Sequence, residues 1–160
     1  LVGEAPGYKG CRFTGVPFSS EHILTNGIEG TDLFGKDSGF KKTNENDREQ
    51  KEQTAKIIWD VLKKLKIIPL MWNAFPFHPY REENPKKNRK PTADEIEIGK
   101  KFLDELINLF DVKYIIAVGN SAEKILNTLG KDFIKVRHPS YGGREDFEKS
   151  LSELIGSHNF

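Results

Sequence analysis

Hydrophobic positions in this chain fall into short runs and stripes separated by long polar stretches. Residues 1–3, Leu-Val-Gly, read as the end of a short buried strand entering a Gly/Pro turn. From about 48 to 66 the period becomes helical, with Ala55, Ile58, Val61, Leu62 and Leu65 on one stripe. Residues 67–72 are a short apolar run and predict a second buried strand. Thr92, with Glu95 three positions on, is a capping-box signature. The helix it opens carries Ile98, Phe102, Leu103, Leu106, Ile107 and Phe110. Residues 114–118 predict a third strand, closed by Gly119; Asn120 or Ser121 caps the next helix, which runs through Leu129 to Gly130. Residues 133–136 predict a last strand and 144–154 a last helix. Residues 7–46, rich in Gly, Ser, Thr and Asn, and the polar stretch 79–91, with prolines at 79, 85 and 91, read as loops.

Strands alternating with helices predict an α/β fold with a parallel sheet and right-handed crossovers. Three polar strand ends (residues 3–7, 73–79 and 138–143) then share one sheet edge, where open α/β folds place their sites. Three distant segments thereby become one candidate pocket.

Composition narrows the partners. The chain has 160 residues, 25 basic and 24 acidic, for a net charge of +1. A uniformly basic nucleic-acid coat is excluded, so any such footprint is local. Apolar residues make up 36% of a chain that also carries 11 Phe and 2 Trp, enough for a core and against disorder. Cys11 is the one cysteine, which excludes an internal disulfide, a four-cysteine zinc site and a cysteine-ligated iron–sulfur cluster. His22, His78, His138 and His158 show no ligand spacing, so no metal is expected. No apolar run reaches the roughly 20 residues of a membrane span. With no signal peptide visible, the expectation is an intracellular protein of the cytoplasm, nucleoid or nucleus, and a monomer. The chain opens on Leu1 rather than Met, and one domain over 1–160 is expected, with an N-terminal element missing ahead of it.

Each pocket segment has a chemical reading and a plain one. Gly3, Glu4, Ala5, Pro6 and Gly7 hold backbone close to a ligand, with Glu4 as a base or clamp; the plain reading is a tight turn with a solvated Glu. No phosphate-loop pattern occurs. Asn73, ending a buried strand, offers one acceptor and two donors to a heterocycle edge, or else caps its own loop. His138, fixed by Pro139, can donate to developing negative charge, or is a hydrogen-bonded loop histidine. Lys86, Lys87, Arg89 and Lys90 suit phosphate contacts, or form a solvated loop.

The order GEAPG, GxPF, NAFPFHP, NRxPT, AVG and HPS, over about residues 1–145, resembles the uracil-DNA glycosylase superfamily, in its thermophile and archaeal-type branch. The resemblance implies a three-layer α/β/α sandwich on a four-stranded parallel sheet. It implies hydrolysis of uracil from DNA without a cofactor, starting base excision repair. Gly3, Glu4, Ala5, Pro6 and Gly7 would line the pocket and position the attacking water, and Phe18 would stack on the flipped uracil. Asn73 would read the base and His138 would hydrogen-bond uracil O2. Arg137, Pro139, Ser140 and Tyr141 would contact DNA at the minor groove, with Lys86, Lys87 and Arg89 as further DNA contacts. Uracil-containing DNA is the implied partner.

The chain also departs from the pattern. Ala5 stands where the best-known members have a water-activating Asp, which leaves Glu4 as the nearest carboxylate. Gly10 stands where the branch has an acidic residue that crowds the thymine methyl. The branch's cluster cysteines are missing, and HPSYGG replaces the commoner HPSP, with Tyr141 as a candidate wedge. Three alternatives follow: a glycosylase for thymine in T·G mismatches or for deaminated purines, a non-catalytic damaged-DNA-binding domain, and a small-molecule nucleotide hydrolase.

Overall fold

The computed structural model describes residues 1–43 and 47–158, without the side chain of His158; part of the predicted 7–46 loop region therefore lies outside the described residues. Four strands form one all-parallel sheet: β1 (Val2–Gly3), β2 (Trp72–Asn73), β5 (Ile116–Val118) and β6 (Ile134–Val136), in the order β2-β1-β5-β6. Register pairs Gly3 with Asn73, Val2 with Ala117 and Val118 with Val136. The chain leaves β1 toward β2 and then crosses back beyond β1 to β5, so the topological switch lies between β1 and β5.

Strand alternation sorts the core into two layers. Leu1, Val118 and Val136 pack with Ile23 of α2 (Glu21–Asn26), with Ile58, Val61 and Leu62 of α3 (Gln53–Leu65), and with Phe147 and Leu151 of α6 (Arg144–His158). Val2 and Ala117 point the other way. They meet Leu103 of α4 (Ala93–Leu109) and Ala122, Ile125 and Leu126 of α5 (Gly119–Thr128). This is the three-layer α/β/α sandwich expected, and no helix among the described residues is long and apolar enough to cross a membrane.

Several expectations are corrected. The 7–46 region contains α1 (Cys11–Thr14), α2 and a 3-10 turn at Lys36–Ser38, all too short to register as a period. The helix read from 48 begins at Gln53, because Glu52 accepts from the Thr54 and Ala55 N–H groups as its N-cap. Of the 67–72 run, Trp72 alone enters the ladder, and Ile68 is 66% exposed. The 79–91 stretch is not a plain loop: it contains the hairpin of β3 (Tyr80–Arg81) and β4 (Asn84–Asn88). Neither Asn120 nor Ser121 caps α5, whose N-cap is Val118. The Thr92–Glu95 capping box forms, yet Ile98, Phe102 and Phe110 on or just past α4 remain exposed.

Gly99 replaces them at the core face. A Cβ there would lie 2.1 Å from the Ala74 carbonyl oxygen, so α4 crosses directly over the exit of β2. In an exposed helix Gly→Ala gains about 1 kcal/mol. Here the clash dominates, and Gly99→Ala is expected to lower unfolding free energy by about 1–3 kcal/mol. Urea denaturation checks this; an unchanged or raised stability would show that the helix does not sit on the strand end.

Candidate active site

An open cavity of about 740 Å³ lies at the C-terminal edge of the sheet, within the usual size range of small-molecule sites. The ends of all four strands reach it: Gly3 from β1, Asn73 from β2, Val118 and Gly119 at the β5–α5 junction, and Arg137 and His138 just past β6. Asn73 ends one outer strand and His138 follows the other, strands roughly 14 Å apart by strand spacing, and both residues line the same cavity.

The inner strands end without side chains. A Cβ on Gly3 would stand 2.8 Å from Asn73 Oδ1 and 2.8 Å from Phe18 Cζ, so amide and phenyl ring both close over this position. Gly119 has φ +85°, and a Cβ on it would lie 2.7 Å from His138 Cβ. Phe18 holds a left-handed backbone, φ +50°, rare for a non-glycine residue. Its carbonyl is anchored by the Trp59 indole N–H at 2.9 Å.

Asn73 is buried, and its Nδ2 lies 3.9 Å from the Cys11 sulfur. Burial pushes the Cys11 thiol up to about 12, so this pocket cysteine stays protonated and is no nucleophile. His138 Nδ1 accepts from the Ser140 backbone N–H at 3.2 Å, with the Ser140 hydroxyl 2.7 Å from the same nitrogen. A backbone N–H only donates, so the ring proton sits on Nε2, which meets no hydrogen-bond partner among the described residues. Burial also holds the imidazole's proton affinity below the ordinary value; Glu52 partly opposes this and Arg137 adds to it. Glu4 moves the opposite way: burial raises its pKa, against the pull of Lys90 and a hydrogen bond from Ser121.

Of the residues expected from sequence, Gly3, Glu4, Ala5, Pro6, Gly7, Phe18, Asn73, Arg137, His138 and Tyr141 all line this cavity. Tyr141 is 98% exposed at φ +52°. The others do not line it. Pro139 is fully buried, and Ser140 holds His138. Lys86 and Lys87 lie on β4, exposed. Arg89 is not free for phosphate: it makes a bidentate contact to Glu95 at 2.6 and 2.7 Å and donates to the Tyr80 and Lys90 carbonyls. Glu95 is held down to about 2 by that guanidinium, so the pair is a charged staple between hairpin and helix. Sequence reasoning missed Glu52, Thr54, Asn88, Asn120 and Ser121 in the lining. Gly10 does not open space, since a Cβ there would lie 2.8 Å from Ser19 O and 3.0 Å from Glu52 Cγ. Among the described residues no cluster suited to a metal occurs.

These features define a class: an α/β/α sandwich whose sheet edge carries a polar slot of amide, imidazole, carboxylate and phenyl ring. Within that class the chain belongs to the uracil DNA glycosylase superfamily, whose family model matches residues 1–155. No curated protein matches the chain.

The His138 arrangement makes a measurable statement. Its imidazole should appear as the Nε2–H tautomer by nitrogen NMR, titrating below the ordinary histidine value of 6.5. The folded state then resists the protonated form. The neutral form's contribution to stability is therefore present above that ordinary value and lost as pH falls through the lowered midpoint. An Nδ1–H tautomer, or a midpoint above the ordinary value, would contradict the geometry.

Proposed function

We propose that this protein hydrolyses the N-glycosidic bond of uracil in DNA, leaving an abasic site that starts base excision repair. The observation that carries the reading is the meeting of Phe18, Asn73 and His138 in one cavity of a DNA glycosylase fold. A uracil flipped from the stack lies against Phe18, which offsets part of its lost stacking. The Asn73 amide accepts from uracil N3–H and donates to O4. Cytosine reverses both, leaving buried groups unpaired at roughly 1–3 kcal/mol each.

As the C1′–N1 bond breaks, its electron pair passes into the uracil ring and charge builds on O2. The His138 Nε2–H is an uncharged donor for that oxygen, and its bond strengthens as charge develops. The sugar is left as an oxocarbenium-like cation. Water adds its oxygen to C1′, and Glu4 takes the proton that water loses; a carboxylate with a raised pKa is the stronger base for this step. The proton then passes from Glu4 through solvent to N1 of the departing uracil anion, which restores the carboxylate. Tyr141, exposed on a loop braced by Gly142 at φ +76°, fills the gap in the duplex. Arg137 and Lys86 contact phosphates, and the protein acts as a monomer with no cofactor.

Thymine is the weaker candidate, because the space that Gly10 would free is taken by Glu52 and Ser19. A non-catalytic DNA-binding role is favoured by no contact at the site.

A gel assay on a uracil oligonucleotide, with alkali to cut abasic sites, tests the proposal. Product is expected from uracil and not from cytosine. His138→Ala should lower kcat by about 100- to 1000-fold, and Asn73→Ala by roughly tenfold or more with lost discrimination against cytosine. No product from single strands, U·G or U·A duplexes would overturn the reading. Wild-type turnover by both variants would remove the site assignment.

A further inference from the structure

The β3–β4 hairpin belongs to neither core cluster, and a two-stranded ribbon is marginal alone. It is fastened instead by polar contacts. His78 Nδ1 lies 2.9 Å from the Pro6 carbonyl oxygen of the pocket loop, and its Nε2 lies 3.1 Å from that of Pro85 in β4. Asn88 Oδ1 accepts the Tyr8 N–H at 2.9 Å. Arg89 ties the ribbon's end to α4 through Glu95.

This fastening presents one face of the ribbon beside the cavity. Tyr80 pairs with Asn88 across the ladder, so their side chains share a face; the register then shifts to pair Arg81 with Asn84, and Lys86 and Lys87 lie in the β4 stretch between those two pairs. Asn88 itself lines the cavity. The Tyr80 ring stacks on the His78 ring at 5.9 Å and 16°, and Tyr80 is 48% exposed. A fixed ring therefore backs Tyr80 while half of the residue faces solvent. Lys86 and Lys87 are exposed, and among the described residues neither has a carboxylate within ion-pair distance. By contrast Lys56, Lys63, Lys131 and Lys135 are all paired.

We propose that this hairpin is a platform for an unpaired stretch of the nucleic acid strand beside the pocket, seating a base on Tyr80 and phosphates on Lys86 and Lys87. A base within a duplex has both faces covered, so an exposed aromatic can stack only on an unpaired one. Exposed lysines on the strand that pairs with Tyr80 supply cations beside an aromatic ring, the two kinds of group that a strand of alternating phosphates and bases engages. The inference rests on the DNA reading above and adds to it the state of the strand.

The test uses a fluorescein-labelled oligothymidylate without uracil, and fluorescence anisotropy of the full chain. Tyr80→Ala should weaken binding by about 5- to 100-fold, while Tyr80→Phe keeps it. The double variant Lys86→Ala/Lys87→Ala should reduce the steepness of log K against log salt by about 1.4, near 0.7 for each lost phosphate contact. It also tests the platform if Tyr80→Ala fails to fold. Wild-type affinity in Tyr80→Ala, an unchanged salt slope in the lysine variant, or no binding by the wild type would each overturn the proposal. The probe has no uracil, so binding without excision elsewhere refutes the glycosylase reading alone. Excision with an indifferent folded Tyr80→Ala refutes the platform alone.

Discussion

The site depends on two positions where a side chain has no room. Gly3 ends β1 and Gly119 follows β5, the two central and adjacent strands of the sheet. A Cβ at Gly3 would collide with the Asn73 amide and the Phe18 ring, and one at Gly119 with His138. The groups that face the cavity are therefore carried by the outer strands and by a loop, and they close inward over bare backbone. The parallel register makes this possible by setting Gly3 directly beside Asn73. It also places the crevice at the topological switch, where the loops diverge and leave space.

Charge is distributed to match. Burial pushes His138, Glu4 and Cys11 toward their neutral forms. The Asn73 amide and the His138 imidazole therefore present hydrogen-bonding groups of fixed direction to the cavity. Acidic and basic side chains line the cavity as well: Glu52, Lys135, which is paired with Glu123, and Arg137, which is paired with Asp146; the Arg89–Glu95 pair lies outside it. A neutral imidazole donor can strengthen its bond as an anion develops, without having drawn an anion into the site beforehand.

Much of this was legible in the sequence, and the failures have physical causes. The α3 stripe and the Thr92–Glu95 box are local patterns, and they folded as local rules require. Gly3, Asn73 and His138 were legible together because parallel strands must end on one edge. The hairpin was not, since β4 is exposed along its whole length and gives no alternation, and Pro85 lies within it. The apolar run before Trp72 misled because hydrophobicity alone does not say that a segment is buried; Ile68 and Leu70 face solvent. Ile98 and Phe102 misled in a similar way, since Gly99, carrying no hydrophobic signal, marks the true contact line of α4. Glu52 was hidden because its pocket role follows from its N-cap position ahead of α3, a boundary read too early. The Arg89–Glu95 pair was not legible because a basic run says nothing about which member a nearby carboxylate will claim.

The most direct measurement of the central claim is a crystal structure of the protein soaked with free uracil. The account predicts one ring stacked on Phe18, its N3–H and O4 at the Asn73 amide and its O2 at His138 Nε2. Uracil bound elsewhere, or a ring that meets Asn73 but leaves His138 out of hydrogen-bonding reach, would contradict it.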